Sequence, residues 1–327
     1  MISLIKQLIQ SSPALFLLNA GTEAANFGVP GNQFTIEFVT IDNPGNASDS
    51  GAGGGAYKSP HGAVDHAFQM SIYETSTSMI NSANAIANLG ITLDVRLDNK
   101  PATSVSWNEA ARFVNWLNTN QGYSPAYKFS IQPGVSGYSP NANIELWLPT
   151  DPGYNPKNLF RNSNAHYFLP SEDEWYKAAF HKNDGSTANY WDYPTASNSA
   201  PKAVVSGTAD GTAVFGNDSI ANVNSAGGPS AYGTFAQGGN ASEWCESSID
   251  NTNDDPFEAR LHRGGNFLST SSEFDLRATR RGDGDPTDSY QHVGFRVASI
   301  PEPSSLLLLL VCASHAVLKR QKKATEN

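Results

Sequence analysis

Cysteine is nearly absent: 327 residues hold two, Cys245 and Cys312. One lies in the body of the chain and the other in an apolar tail. That excludes a disulfide framework and any cysteine-rich metal site. Charge is also scarce. Asp, Glu, Lys and Arg make up 16% of the chain, against roughly 25% in an average soluble domain. Polarity comes instead from Asn, Ser, Thr and Gly. Basic charge is the rarer sign. Residues 26–300 carry 16 basic and 28 acidic side chains, a net charge of −12, which repels phosphate backbones and argues against nucleic acid as a partner. There is no repeat of 20–50 residues, no Gly-x-Ser-x-Gly elbow, no Walker loop and no Rossmann fingerprint.

What is present points to one ordered, loop-rich body. Six Trp and twelve Tyr argue against disorder, while 28 Gly and 19 Pro break the chain into short pieces. Three segments read as helices. Over 77–88, Met79, Ile80, Ala83, Ile86 and Ala87 share a face. Over 106–118, Ser106 and Glu109 form a capping box, and Trp107, Ala110, Ala111, Val114 and Leu117 make the stripe. Over 171–180 the box recurs with Ser171 and Glu174. Strands are expected over 34–40, 67–73 and 295–298. Residues 49–55 read as a flexible loop and 197–226 as nearly featureless.

The two ends read as addresses. Residues 1–25 carry Lys6, an apolar stretch from Pro13 to Leu18, and small residues before Asn26. This is the pattern of a cleaved secretory signal, with a short N-terminal helix as the alternative. The other end runs Pro301-Glu302-Pro303, then an apolar stretch to Leu318, then Lys319-Arg320-Gln321-Lys322-Lys323. The stretch is shorter than the ~20 residues that cross a bilayer comfortably. The terminal cations are expected to stay cytoplasmic. Over 301–323 this order resembles the PEP-CTERM sorting signal. The resemblance implies a transient membrane anchor, processing by an exosortase-type transpeptidase as partner, and delivery to the cell surface or extracellular matrix. An ordinary tail anchor is the alternative.

Within the body several motifs fall in order: Ser104-Val105-Ser106-Trp107-Asn108-Glu109-Ala110, Phe168-Leu169-Pro170-Ser171-Glu172-Asp173-Glu174-Trp175, Gly238-Gly239-Asn240-Ala241-Ser242-Glu243-Trp244, Arg263-Gly264-Gly265-Asn266 and Gly294-Phe295-Arg296-Val297-Ala298. Together they resemble the formylglycine-generating enzyme, or sulfatase-modifying factor, family. The resemblance implies a single α+β domain over 26–300, a variant of the C-type-lectin-like fold with little regular structure.

Active members of that family oxidise a sulfatase cysteine with copper(I) and oxygen, using two cysteines of their own. The corresponding positions here are Ser269 and Phe274, and Asn266 stands where the family has Ser. A hydroxyl and a phenyl ring do not replace two thiolates on a soft metal, so no copper and no formylglycine-generating activity are expected. The resemblance also implies calcium, held by the carbonyls of Gly239 and Ala241 and the carboxylate of Glu243, which are hard oxygen donors. The family's first side-chain ligand falls on Ala236, so one ligand is missing.

Arg277, Arg280 and Arg281 lie in the segment bordering the family's groove and suit a carboxylate or acidic sugar; pairing with nearby Asp residues is the competing use. Asp283, Asp285 and Asp288 alternate as in a calcium loop but lack its closing Glu, and read as a solvated loop. His61 and His66 bracket Asp65 without an evident third ligand. Three functions follow. The first is binding of polysaccharide or another envelope component. The second is altered catalysis through Arg277, Arg280 or His292. The third is a structural role in a matrix. A deep pocket with a perturbed His or carboxylate favours the enzyme, and a shallow aromatic groove favours the binder.

Overall fold

The computed structural model describes residues 22–51, 60–94, 98–269 and 273–301. The leader up to residue 21, most of the expected loop at 49–55, and the sorting signal beyond Pro301, including Glu302 and Pro303, lie outside them. No helix among the described residues is long and apolar enough to cross a membrane.

Two sheets and three helices make up the frame. The first sheet contains β1 (Glu23–Phe27), β2 (Phe34–Ile41), β3 (Phe68–Ser71), β4 (Tyr167–Phe168) and, from the far end of the chain, β11 (Ala298–Ser299), in the order β1-β2-β3-β11-β4. All its pairings are antiparallel. In β2, Thr35 and Glu37 face water while Ile36 and Phe38 are buried, which is the period-2 alternation of a half-buried strand.

Both ends of the domain enter this sheet. The expected leader boundary at residue 25 falls inside β1, where Glu23, Ala24 and Ala25 already pair with Phe38, Glu37 and Ile36. The sheet therefore begins three residues before the expected domain start at 26. The strand expected at 295–298 is shifted: regular pairing in this sheet starts at Ala298, while the buried Phe295 and Val297 only accept single backbone bonds from Thr75 and Ser71.

The helices are α1 (Thr77–Ala87), α2 (Trp107–Asn120) and α3 (Glu172–Phe180). Helix α1 is capped by Ser76 and ends on Asn88, whose left-handed conformation (φ 51°) returns its N–H to Asn84. Both capping boxes form. Ser106 Oγ accepts from the Glu109 N–H at 3.2 Å, while Glu109 accepts from Ser106 N at 2.9 Å. Ser171 and Glu174 repeat this at 3.2 and 2.7 Å. The expected stripe of α2 is buried, and so are Asn108, Glu109, Arg112 and Asn118, so this helix is enclosed on nearly every side. The main core lies between it and the first sheet and includes Phe38, Phe68, Trp107, Phe113, Trp244 and Phe295.

The second sheet runs β10-β7-β8-β9, with β7 (Ser242–Ser248), β8 (Arg260–Arg263), β9 (Gly282–Gly284) and β10 (Val293–Gly294). A smaller core of Trp175, Tyr176, Phe180, Cys245 and Leu261 joins it to α3. The expected featureless stretch at 197–226 carries one two-residue parallel pair, β5 (Lys202–Ala203) with β6 (Thr212–Ala213), and a short 3-10 turn at Val223–Ser225.

Candidate functional site

The second sheet positions a pocket of about 170 Å³ beside the Arg263-Gly264-Gly265-Asn266 turn. That is below the roughly 300–1,000 Å³ of a small-molecule site, so it admits a group rather than a whole ligand. The turn needs its glycines. Gly264 has φ +104°, and a Cβ there would lie 2.9 Å from the Gln237 carbonyl oxygen. Ser242, His262, Asn266, Asp275, Arg280 and Arg281 converge on the space. Asn266, Arg280 and Arg281 were expected there. Ser242 and His262 carry no local sequence signal, since only strand pairing brings them in, and Asp275 arrives on a short 3-10 turn, Glu273–Leu276.

The pocket is cationic within an acidic body. Glu172 on α3 clamps two guanidiniums, Arg263 at 2.6 Å and Arg281 at 3.0 Å. Burial pushes Glu172 up, but Arg263, His61 and Arg281 together hold it below its usual range. That leaves Arg280, 46% exposed and only loosely paired with Asp275 at 3.8 Å. His262 stands in β8 with its ring against Gly282, where a Cβ would meet it at 2.3 Å. Burial, with His292 nearby, depresses its pKa to about 4, so it is neutral near pH 7. Asn266 braces the turn by accepting from Leu268 N at 2.9 Å, and its amide lies 3.4 Å from Ser242 Oγ.

Ser269 and Phe274, the positions that the resemblance sets against the family's cysteines, have structural partners here. Ser269 is buried, and its hydroxyl accepts from Asn266 N at 3.2 Å. Phe274 is 43% exposed, and two guanidiniums lie over its ring: Arg280 at 4.5 Å and Arg277 at 5.5 Å. Arg277 is held there by donating to the Tyr193 hydroxyl at 2.9 Å and by Glu273 at 3.7 Å. It borders the platform and does not line the pocket. Cys245 is the free thiol among the described residues; it is buried in the smaller core, and burial raises its pKa well above the usual thiol value. This donor set does not fit copper(I), which prefers thiolates.

Glu243, whose carboxylate was expected to face calcium, has other partners here. The residue is not on an open turn but inside β7, fully buried. One oxygen accepts from Trp175 Nε1 and Arg296 Nε, both at 2.6 Å, and the other from Arg296 Nη2 at 2.6 Å. Both oxygens are committed to a buried ion pair. Ala241 donates its N–H to the buried Glu74 at 3.0 Å, and Gly239 has φ +86° and packs so closely that a Cβ would lie 2.2 Å from the Val214 carbonyl oxygen. With Ala236 offering no side-chain oxygen, these residues do not fit calcium. No group of three or more His, Cys, Asp or Glu able to hold a metal occurs among the described residues.

Other candidates also resolve into structure. Asp285 accepts from Thr287 N and Oγ1 at 2.8 and 2.6 Å, closing its own loop. His61 sits 3.6 Å from Glu172 and is kept neutral by burial, its pKa lowered to about 4. His66 bridges Asp65 at 2.9 Å and Glu174 at 3.0 Å. His292 lies beside Tyr290, with ring centroids 5.9 Å apart, outside the pocket lining.

Comparison with known proteins agrees with this architecture. Residues 61–300 match the model of the sulfatase-modifying factor enzyme 1-like domain. Treponema denticola variable protein 1 is similar in structure, with a TM-score of 0.54 and 20% identity over 85% of this chain and 99% of that one. CarF gives 0.52 and 17%, covering 82% and 99%. PvdO from Pseudomonas aeruginosa gives 0.50 and 16%, covering 85% and 98%. No curated protein sequence matches. At such identities the structural likeness speaks for the fold alone, and the domain model, spanning most of the chain, speaks for the family. The chain is therefore a single-domain α+β protein of C-type-lectin-like fold that belongs to the sulfatase-modifying factor family.

Proposed function

We propose that this chain is an exported surface or matrix protein whose domain binds acidic polysaccharide and does not generate formylglycine. The observation that carries the reading is the platform at Phe274: an exposed ring under Arg277 and Arg280, opening beside a cationic pocket. A uronate-type sugar presents a C–H face that suits an aromatic ring and a carboxylate that suits a guanidinium fork. The pocket's small volume fits that carboxylate, not an enclosed substrate. The tail supports delivery: Pro301-Glu302-Pro303, its apolar span and its basic cluster suit an exosortase-type partner and a transient membrane anchor.

The test is retention of the full chain on immobilised polygalacturonate. Retention is expected with and without chelator, and both Phe274→Ala and Arg280→Ala should weaken it about tenfold or more. No retention, or retention that both variants leave intact, overturns the reading. In parallel, incubation with copper(I), oxygen and a sulfatase-type cysteine peptide should give no aldehyde; stoichiometric aldehyde would restore the family reaction. A second reading, altered catalysis, has one observation in its favour, the neutral His262 in the pocket. Its neighbour Ser242 is less suited to act as a nucleophile, since its hydroxyl donates to the Gly265 carbonyl at 3.0 Å.

A further inference from the structure

We infer that a small apolar carboxylate binds on the least enclosed side of α2, at a site separate from the platform at Phe274. A pocket of about 290 Å³ opens there, just below the roughly 300–1,000 Å³ of most small-molecule sites. Its walls come from α2, from the end of α1 and the residue region after it, and from the chain at 125–133. It shares no residue with the pocket on the second sheet.

Two donors on one helix face mark the site. Arg112 and Trp116 are four residues apart on α2, which makes them surface neighbours, and both line the pocket. Their side chains are otherwise enclosed: Arg112 is 4% exposed and Trp116 7%. The Arg112 guanidinium lies over the rings of Phe129 at 3.9 Å and Tyr138 at 4.7 Å. Its Nε donates to the Pro140 carbonyl at 3.0 Å and its Nη1 to the Ile131 carbonyl at 3.2 Å. Nη2 has no acceptor among the described residues, and no carboxylate there pairs with this cation. The Trp116 indole N–H also has no acceptor among the described residues, and neither atom is sealed in the core. Buried charges are normally paired. Arg112 takes no carboxylate from a body whose net charge is −12.

An anion with an apolar body completes this arrangement. A carboxylate receives a charge-assisted bond from the guanidinium and a second bond from the indole N–H. Ala87, Leu89, Pro125 and Pro133 supply an apolar wall, which an inorganic anion would leave uncovered and the hydroxyls of a uronate would not suit. The volume limits the body to a short alkyl chain or a single ring. The cation is fixed before any ligand arrives, by two rings and two carbonyls, so little side-chain entropy is lost on binding. Tyr138 ties this cradle to the wall by donating its hydroxyl to the Leu89 carbonyl at 2.6 Å. The site goes beyond the polysaccharide reading and does not depend on it.

The experiment titrates the full chain with octanoate and phenylacetate at up to millimolar concentration, followed by calorimetry. Octanol, which lacks the charge, and acetate, which lacks the apolar body, are the controls. At least one of the two acids is expected to bind, about tenfold or more tightly than either control. Arg112→Gln should weaken that binding about tenfold, and Trp116→Phe, which removes only the N–H, about threefold. Pro133 lies in a turn closed by Val135 N donating to the Gln132 carbonyl at 3.2 Å, a position open to residues other than Pro. Pro133→Asp sets a like charge on the wall and should also weaken binding about tenfold. It leaves the packing of Arg112 alone, so it reports on the site even where Arg112→Gln unsettles the core. No binding of either acid, equal binding of octanol, or binding that Arg112→Gln and Pro133→Asp leave intact overturns the proposal. Tighter binding of N-acetylphenylalanine than of phenylacetate would overturn the assignment to a free acid in favour of the carboxyl end of a peptide.

Discussion

At the scale of single residues, the most exacting feature is the buried pair of Glu243 and Arg296. Neither side chain is exposed to water. Arg296 also donates to the carbonyls of Ser71 and Phe235, at 3.0 and 2.7 Å, so it ties three segments together. Glu74 lies alongside, raised to about 8 by burial and by Glu243. Removing the cation would leave buried carboxylate without compensation, at a typical cost of about 3–5 kcal/mol. Arg296→Ala should therefore lose about that much stability in urea unfolding, and Arg296→Met combined with Glu243→Gln should recover part of it. A loss under about 1 kcal/mol would mean that water reaches the pair.

Legibility at this scale was uneven. Trp107, Trp175 and Trp244 sit in core motifs, and their indole N–H groups donate to Cys245 O, Glu243 Oε2 and Val105 O. A large apolar ring with one donor has few other options. Glu243 was not legible, because nothing local says that its carboxylate meets a guanidinium 53 residues away.

At the scale of elements, helix α3 carries a pH-dependent brace. Glu174 closes its capping box and also receives Arg161 at 2.9 Å and His66 at 3.0 Å. Burial pushes Glu174 up, but Arg161 and His66 prevail and hold it well below the usual carboxylate range. The hydrogen bond to Glu174 raises His66 above its ordinary 6.5, against its partial burial, with Asp65 assisting and Arg161 opposing. A cation whose folded pKa is raised contributes fully below its unfolded value and loses that contribution as pH rises through the folded one. The side chain is half exposed, so the effect is modest. The melting temperature of the native chain should exceed that of His66→Gln most below about pH 6, with the gap closing as pH rises through the raised pKa of His66. A gap that widens with pH would show that His66 acts neutral.

The helices were the most legible elements, because capping boxes and 3.6-residue stripes are local. Strands β7 to β9 were not. β7 is buried at every position and bulged between Trp244 and Ser248, so it shows no alternation to read, and β9 is three residues long.

At the scale of the molecule, the two ends of the domain close one sheet. β1 lies on one edge, and β11 inserts between β3 and β4. A chain starting at residue 26 would lose three of the five β1 pairs, those at Glu23, Ala24 and Ala25. Such a chain should melt several degrees below one starting at residue 22, since each kcal/mol is worth roughly 2–4 °C in a domain of this size. Equal melting temperatures would show that β1 contributes little beyond Asn26 and Phe27.

The sequence by itself determined what local chemistry dictates: the caps of α2 and α3, the positive-φ glycines of the turns, the acidic balance that disfavours nucleic acid, and the absence of paired thiols at Ser269 and Phe274. Tertiary structure decided what depends on who meets whom. It enclosed Glu243 with Arg296, set Phe274 beneath two guanidiniums, brought His262 and Asp275 to the same pocket, and packed Arg112 against Phe129 and Tyr138. Those partners are distant in sequence or held by irregular chain. Their electrostatics and accessibility come from packing, and no periodicity along the chain encodes that.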